Sequence, residues 1–225
     1  MNKQSIAAGY RLLAELFVNP SQRDESNISN WIMNVKVDLP DVANIVEHFL
    51  RLDASLSSNE YVSTLELSPP CPLYLGTHLF EEPSTCSGIS SSPRNAYMLE
   101  LGGVYEHFGF DLGSIELPDF LPVMLEFAAL SLEQEEKDTI GLRKRFVEKY
   151  LRLGIRPLST RLEKFKSDYL LLMSAIEILV EKDLQRTADQ PMWEPNDETA
   201  QSVPLPVLSN SNVDDVIKKC YEIEI

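Results

Sequence analysis

The 225-residue chain is poor in positive charge: 20 lysines and arginines stand against 35 aspartates and glutamates, a formal charge of −15. Nucleic-acid binding needs clustered Lys and Arg to neutralise phosphates, so that class is excluded, and an acidic surface suits a basic partner instead. Cysteine is scarce too. Cys71, Cys86 and Cys220 are odd in number and lack metal-ligand spacing, so they give no disulfide framework and fit reduced thiols in a cytoplasmic protein. His48, His78 and His107 stand apart, with no HExxH and no Cys/His cluster, and no metal is expected. Glycine forms no phosphate loop, because the Gly102-Gly103 pair falls inside a helical pattern with no strand before it. No serine occupies a GxSxG elbow.

Long apolar runs are missing as well. The longest, "YLLLMSAIEILV" from Tyr169 to Val180, contains Glu177 and falls short of the roughly 20 apolar residues that cross a bilayer. The amino-terminal "MNKQSIAAGYRLLAELFVNP" is interrupted by Arg11 and Glu15, so it reads as an amphipathic helix and not as a secretory signal. A cytoplasmic protein with no direct membrane insertion is the expectation.

What the chain does contain is helix after helix. Its hydrophobic fraction of 44% is that of a globular protein, and its length allows one sizeable core. Ile6, Tyr10, Leu13 and Phe17 follow helical spacing, closed by Pro20. Further helices are expected over 29–37, 41–52, from Asn59 up to Pro69, and through "CPLYLGTHLFEE" with Pro72 in its first turn. Ser92-Pro93 reads as a cap and first turn opening a helix to Gly109, and others are expected over 118–135, 139–153 and 159–184. In the last, Leu162, Phe165, Tyr169, Leu172, Ile176 and Leu179 repeat by threes and fours, the pattern of a central core helix. The Ser-rich stretch 83–93 reads as an exposed loop. From Arg186 to Asn210 four prolines exclude regular helix and imply an extended arm, before a short helix or tail over 211–225. No internal repeat points to a solenoid.

One stretch carries chemistry: "ELPDFLPVMLEFAALSLEQEE", Glu116 to Glu136. Asp119 after Pro118 suits a helix start, where a carboxylate caps free amides and meets the positive end of the dipole. Glu126, seven residues on, is expected two turns along the same face. The pair is compatible with structural capping, with acid/base catalysis in a closed pocket, or with a groove for a ligand basic at one end and apolar at the other.

"LPDFLPVMLEFAAL", Leu117 to Leu130, resembles the LPDHLPxxLEFL motif of the NarJ branch of the TorD/DmsD/NarJ redox-enzyme maturation chaperones. "YVSTLELSPPCPLYLGTHLFEE" and "RNAYMLELGGVYEHFGFDL" are similar to the segments on either side of that family's variable loop. The resemblance implies an all-α, single-domain helical bundle over residues 1–185, a monomer or weak dimer, acting without a cofactor as a chaperone and not an enzyme. Its partner would be the N-terminal peptide of a molybdoenzyme catalytic subunit, often a twin-arginine signal or its remnant, held while molybdenum cofactor is inserted. Peptide arginines would then meet carboxylates, and apolar residues a helix-lined groove. The residues expected to line it are Asp119, Phe120 and Glu126 with Tyr74, His78 and Arg94. Phe120 stands where the family usually has His, and Asn95 where it usually has Gly after Arg94. A small enzyme using Asp119 and Glu126, or a helical scaffold without a groove, are the alternatives.

Overall fold

The computed structural model describes residues 2–66, 69–80, 93–113 and 116–194. The expected Ser-rich loop and most of the proline-rich arm and tail lie outside these residues. Ten α-helical segments are found among them: α1 (Lys3–Leu16), α2 (Glu25–Asp38), α3 (Pro40–Phe49), α4 (Ser58–Tyr61), α5 (Gly76–Leu79), α6 (Pro93–His107), α7 (Leu121–Glu133), α8 (Leu142–Arg145), α9 (Arg152–Lys164) and α10 (Leu170–Arg186). No strand occurs among the described residues, and the sole sheet-like feature there is an isolated antiparallel bridge between Tyr74 and Phe120.

Helix starts follow local chemistry. Asn2 caps α1 through its side chain, which accepts from the Gln4 amide, and Asp24 caps α2 by accepting from the amides of Ser26 and Asn27. That cap starts α2 earlier than its apolar spacing alone predicts. Pro40 opens α3, where its missing N–H forfeits no helical bond. Wide π turns extend two helices, Val62–Glu66 after α4 and Phe146–Leu151 between α8 and α9.

The core is continuous. Ile6, Tyr10, Leu13 and Phe17 are all fully buried, and α1 packs against α2, α7 and α10, while α10 also packs on α3 and α9. A polar knot crosses this core: the buried Arg143 guanidinium donates to Asp183 at 2.6 and 3.2 Å, and Tyr10 Oη donates to the same carboxylate at 3.0 Å. Left alone, either charge would be costly in the interior; together they tie α1, α8 and α10.

Two expectations are corrected. The helix foreseen over 159–184 is two helices. Phe165, placed in the core by spacing, is 50% exposed; Lys166 turns into the left-handed region at φ 54°, and α10 begins afresh at Leu170. The helix foreseen through "CPLYLGTHLFEE" shrinks to the single turn Gly76–Leu79, because the backbone before it is used in the bridge to Phe120. Beyond α10 the chain stays docked through Trp193, which is 7% exposed. Trp193 N donates to Gly141 O at 3.2 Å, and the Arg145 guanidinium sits 5.4 Å from the indole centroid and 3.0 Å from the Glu194 carboxylate.

Candidate functional site

The turn Leu117-Pro118-Asp119-Phe120 that precedes α7 is knotted into three neighbouring elements. Leu75 N donates to Asp119 O at 2.9 Å and Leu121 N to Leu73 O at 2.8 Å, so two backbone bonds bracket the Tyr74–Phe120 pair. The two rings lie 5.1 Å apart at 38°, a tilted contact that adds about 1 kcal/mol beyond area burial. From α6, Tyr105 Oη donates to Pro118 O at 2.7 Å, and its ring packs 4.4 Å from that of Phe127 on α7. The two prolines serve different ends: Pro118 offers a carbonyl held by Tyr105, and Pro122 sits in the first turn of α7, where proline is tolerated.

Asp119 is fully buried. It does not cap its own helix. Its Oδ2 accepts from the Gly76 amide at 3.1 Å and from Arg94 Nη2 at 3.1 Å, so it caps α5 and pairs with the first turn of α6. Gly76 permits this approach, since a Cβ there would lie 2.6 Å from Oδ2. Burial raises the carboxyl above its ordinary pKa, opposed by Arg94 and the Gly76 N–H. Oδ1 is buried without a hydrogen-bond partner.

Glu126 stands elsewhere. It is exposed on α7, whereas Asp119 precedes that helix and turns into the protein. The expectation of two carboxylates on one helix face is therefore corrected: one is inside and tied, the other outside and solvated. An acid/base pair formed by these two has no geometric basis.

The remaining candidates gather around the turn. Tyr74 and Phe120 are half-buried, and Tyr74 Oη donates to Glu116 Oε1 at 3.1 Å; burial, then this bond, pushes the phenol's pKa up. Leu117, beside them, is 46% exposed. The outer face of the turn is thus aromatic and aliphatic with a carboxylate at its edge. Arg94 covers Asp119 with its side chain 27% exposed. His78, on α5, has its Nε2 2.7 Å from Pro72 O. A carbonyl only accepts, so Nε2 carries the proton; burial lowers the pKa of the imidazole.

Three residues of this arrangement escaped the sequence reading. Gly76 was legible as glycine in "LYLGTH" but its role required knowing that Asp119 arrives from 43 positions away. Glu116 opens the motif stretch, but its bond to Tyr74 comes from 42 positions away and leaves no local sign. Arg161 on α9, which faces His78, offered no local signal. Among the described residues no group of His, Cys, Asp or Glu could hold a metal ion, and no helix is long and apolar enough to cross a membrane.

The all-helical core is the fold class that the resemblance to the redox-enzyme maturation chaperones led one to expect. No family profile matches the chain. It is similar to the probable nitrate reductase molybdenum cofactor assembly chaperone NarJ of Bacillus subtilis (strain 168), 27% identical over 181 residues that span 78% of this chain and 90% of that protein. The resemblance read from the central motif is thus accompanied by similarity to a NarJ chaperone over most of the sequence. That relative is named for assembly and not for catalysis.

Proposed function

We propose that this chain is a cytoplasmic chaperone for a molybdoenzyme catalytic subunit, which it binds by the subunit's N-terminal peptide and keeps competent for molybdenum cofactor insertion. The observation that carries the reading is similarity to an assembly chaperone along most of both chains, beside the motif resemblance of the LPDFLP turn.

The geometry adds a division of labour. Asp119 and Arg94 hold the turn rigid from inside, because Asp119 Oδ2 accepts from both Arg94 Nη2 and the Gly76 amide. Leu117, Phe120 and Tyr74 form the contact face for apolar residues of the peptide, with the Glu116 carboxylate at its edge for an arginine or lysine. Glu126, exposed farther along α7, meets a second basic residue if the peptide runs beside that helix. His78, expected to line the same groove, instead turns its Nε2 to the Pro72 carbonyl. A rigid platform lowers the ordering cost of peptide capture, which is why the most buried residues of the motif serve affinity without touching the ligand.

The test is co-purification of the tagged chain from its native host under conditions that induce molybdoenzyme synthesis. A large molybdenum-accepting subunit, identified by mass spectrometry and lost when its N-terminal peptide is deleted, supports the proposal; retention after that deletion overturns the peptide-binding part.

A further inference from the structure

The edge of the contact face is built on one carboxylate whose two oxygens are unequal. Glu116 Oε1 accepts from Tyr74 Oη at 3.1 Å and from the Leu117 amide at 2.8 Å. Two donors fill the two lone-pair positions of that oxygen. Burial and the bond to Glu116 raise the pKa of the Tyr74 phenol, so it remains a donor through the physiological range. Oε2 meets no donor among the described residues and stays within reach of solvent. The turn thus holds the carboxylate in one orientation and leaves a single oxygen open. Beside it are the Tyr74 and Phe120 rings, 5.1 Å apart, and the exposed Leu117. No other carboxylate of the motif competes: Asp119 is buried against Arg94 and Gly76, and Glu126 is exposed farther along α7.

On the reading that this face takes up the client peptide, we infer that it selects one arginine beside an apolar residue and does not read a second basic residue. The guanidinium gives a single N–H to Glu116 Oε2 and lies along the Tyr74–Phe120 pair, while the apolar residue covers Leu117. A fork-on-fork pair, with two parallel N–H bonds to both oxygens, would have to displace Tyr74 Oη or the Leu117 amide from Oε1. The contact is therefore single, and the aromatic pair supplies the rest of the recognition. A flat, weakly hydrated guanidinium suits that place better than the ammonium of lysine, which gives up more water to approach a ring. A second basic residue finds only Glu126, and an ion pair at an exposed position adds little.

Purified full-length chain is titrated calorimetrically with blocked synthetic peptides that share a Phe-Leu-Leu core and carry beside it arginine, lysine, neutral citrulline or two adjacent arginines. Salt at about 0.15 M screens the net charge of −15 at long range. The arginine peptide is expected to bind about three- to ten-fold tighter than the citrulline peptide and about two- to three-fold tighter than the lysine peptide. The second arginine should change affinity by less than about two-fold. In Glu116→Gln, with unchanged helix content, the arginine and citrulline peptides should bind alike, because the partner of the charge is gone. Phe120→Ala should weaken all the peptides together and so reports the face itself. If Phe120→Ala weakens binding but citrulline equals arginine, the second arginine adds as much as the first, or the arginine preference survives Glu116→Gln, the inference is overturned and the peptide face stands. No binding of any peptide, or a silent Phe120→Ala, overturns the peptide face and this inference with it.

Discussion

Replacing Arg94 by glutamine isolates what holds the LPDFLP turn. Asp119 is fully buried, and its charge rests on two donors to one oxygen, the Gly76 amide and Arg94 Nη2, each at 3.1 Å. Removing the guanidinium strips an interior carboxylate of its counter-charge, for which about 3–5 kcal/mol is the usual penalty in full burial. Arg94 is itself 27% exposed, and the Gly76 bond remains, so we expect about 2–4 kcal/mol near pH 7.5. Asp119→Asn keeps an acceptor for Gly76 and leaves a guanidinium that water can reach, so it should cost about 1–2 kcal/mol. The double variant should fall short of the sum by roughly 1–2 kcal/mol, the coupling of the pair. The pH dependence has a fixed sign. A carboxyl whose pKa is raised by folding contributes stability below its unfolded value of about 3.9 and loses that contribution as pH rises through the folded value. Without Arg94 the folded value climbs further, so the penalty of Arg94→Gln should be smaller near pH 5 than near pH 7.5, and Asp119→Asn should abolish the difference. Urea unfolding followed by circular dichroism reads all four proteins. Strictly additive penalties, or a cost of Arg94→Gln that does not change with pH, would refute the buried-pair argument.

Other substitutions probe the scaffold. In Gly154→Ala the new Cβ would lie 2.6 Å from Leu75 Cβ, an overpacking worth about 1–3 kcal/mol; thermal melting should shift down by about 3–10 °C, and an unchanged midpoint would show that α9 and the segment before α5 do not press together as described. Trp193→Ala removes the anchor that packs on Arg145 and should cost about 3 kcal/mol, seen in the same melt. If stability is untouched, the segment after α10 is not docked in solution. Glu126→Gln, at an exposed position, should leave stability within about 0.5 kcal/mol.

Where burial follows from spacing along one helix, the sequence was readable. Ile6, Tyr10, Leu13 and Phe17 announced the buried face of α1 because a 3.6-residue period needs no knowledge of the partner helix. Phe165 shows the limit: it keeps the period of Leu162 and Tyr169, yet the turn at Lys166 rotates it outward, and no residue there is a strong breaker. Asp119 was recognisable as a capping carboxylate, but the helix it caps is α5 and not α7, a pairing fixed by tertiary contact. Arg161 and His78 meet across 83 positions for the same reason.

The central claim is that the outer face of the turn, and not its buried charge, takes up the client peptide. The direct measurement is calorimetric titration of the first thirty or so residues of the molybdoenzyme subunit into wild type, Phe120→Ala and Glu116→Gln, each with unchanged helix content. Loss of the Phe120 ring should weaken binding by about 1.5–3 kcal/mol through lost apolar burial. Glu116→Gln should weaken it by a smaller, salt-sensitive amount, since added salt screens an exposed carboxylate–arginine contact and spares the apolar part. Equal affinities for all three proteins, or no detectable binding to the wild type, would contradict the account.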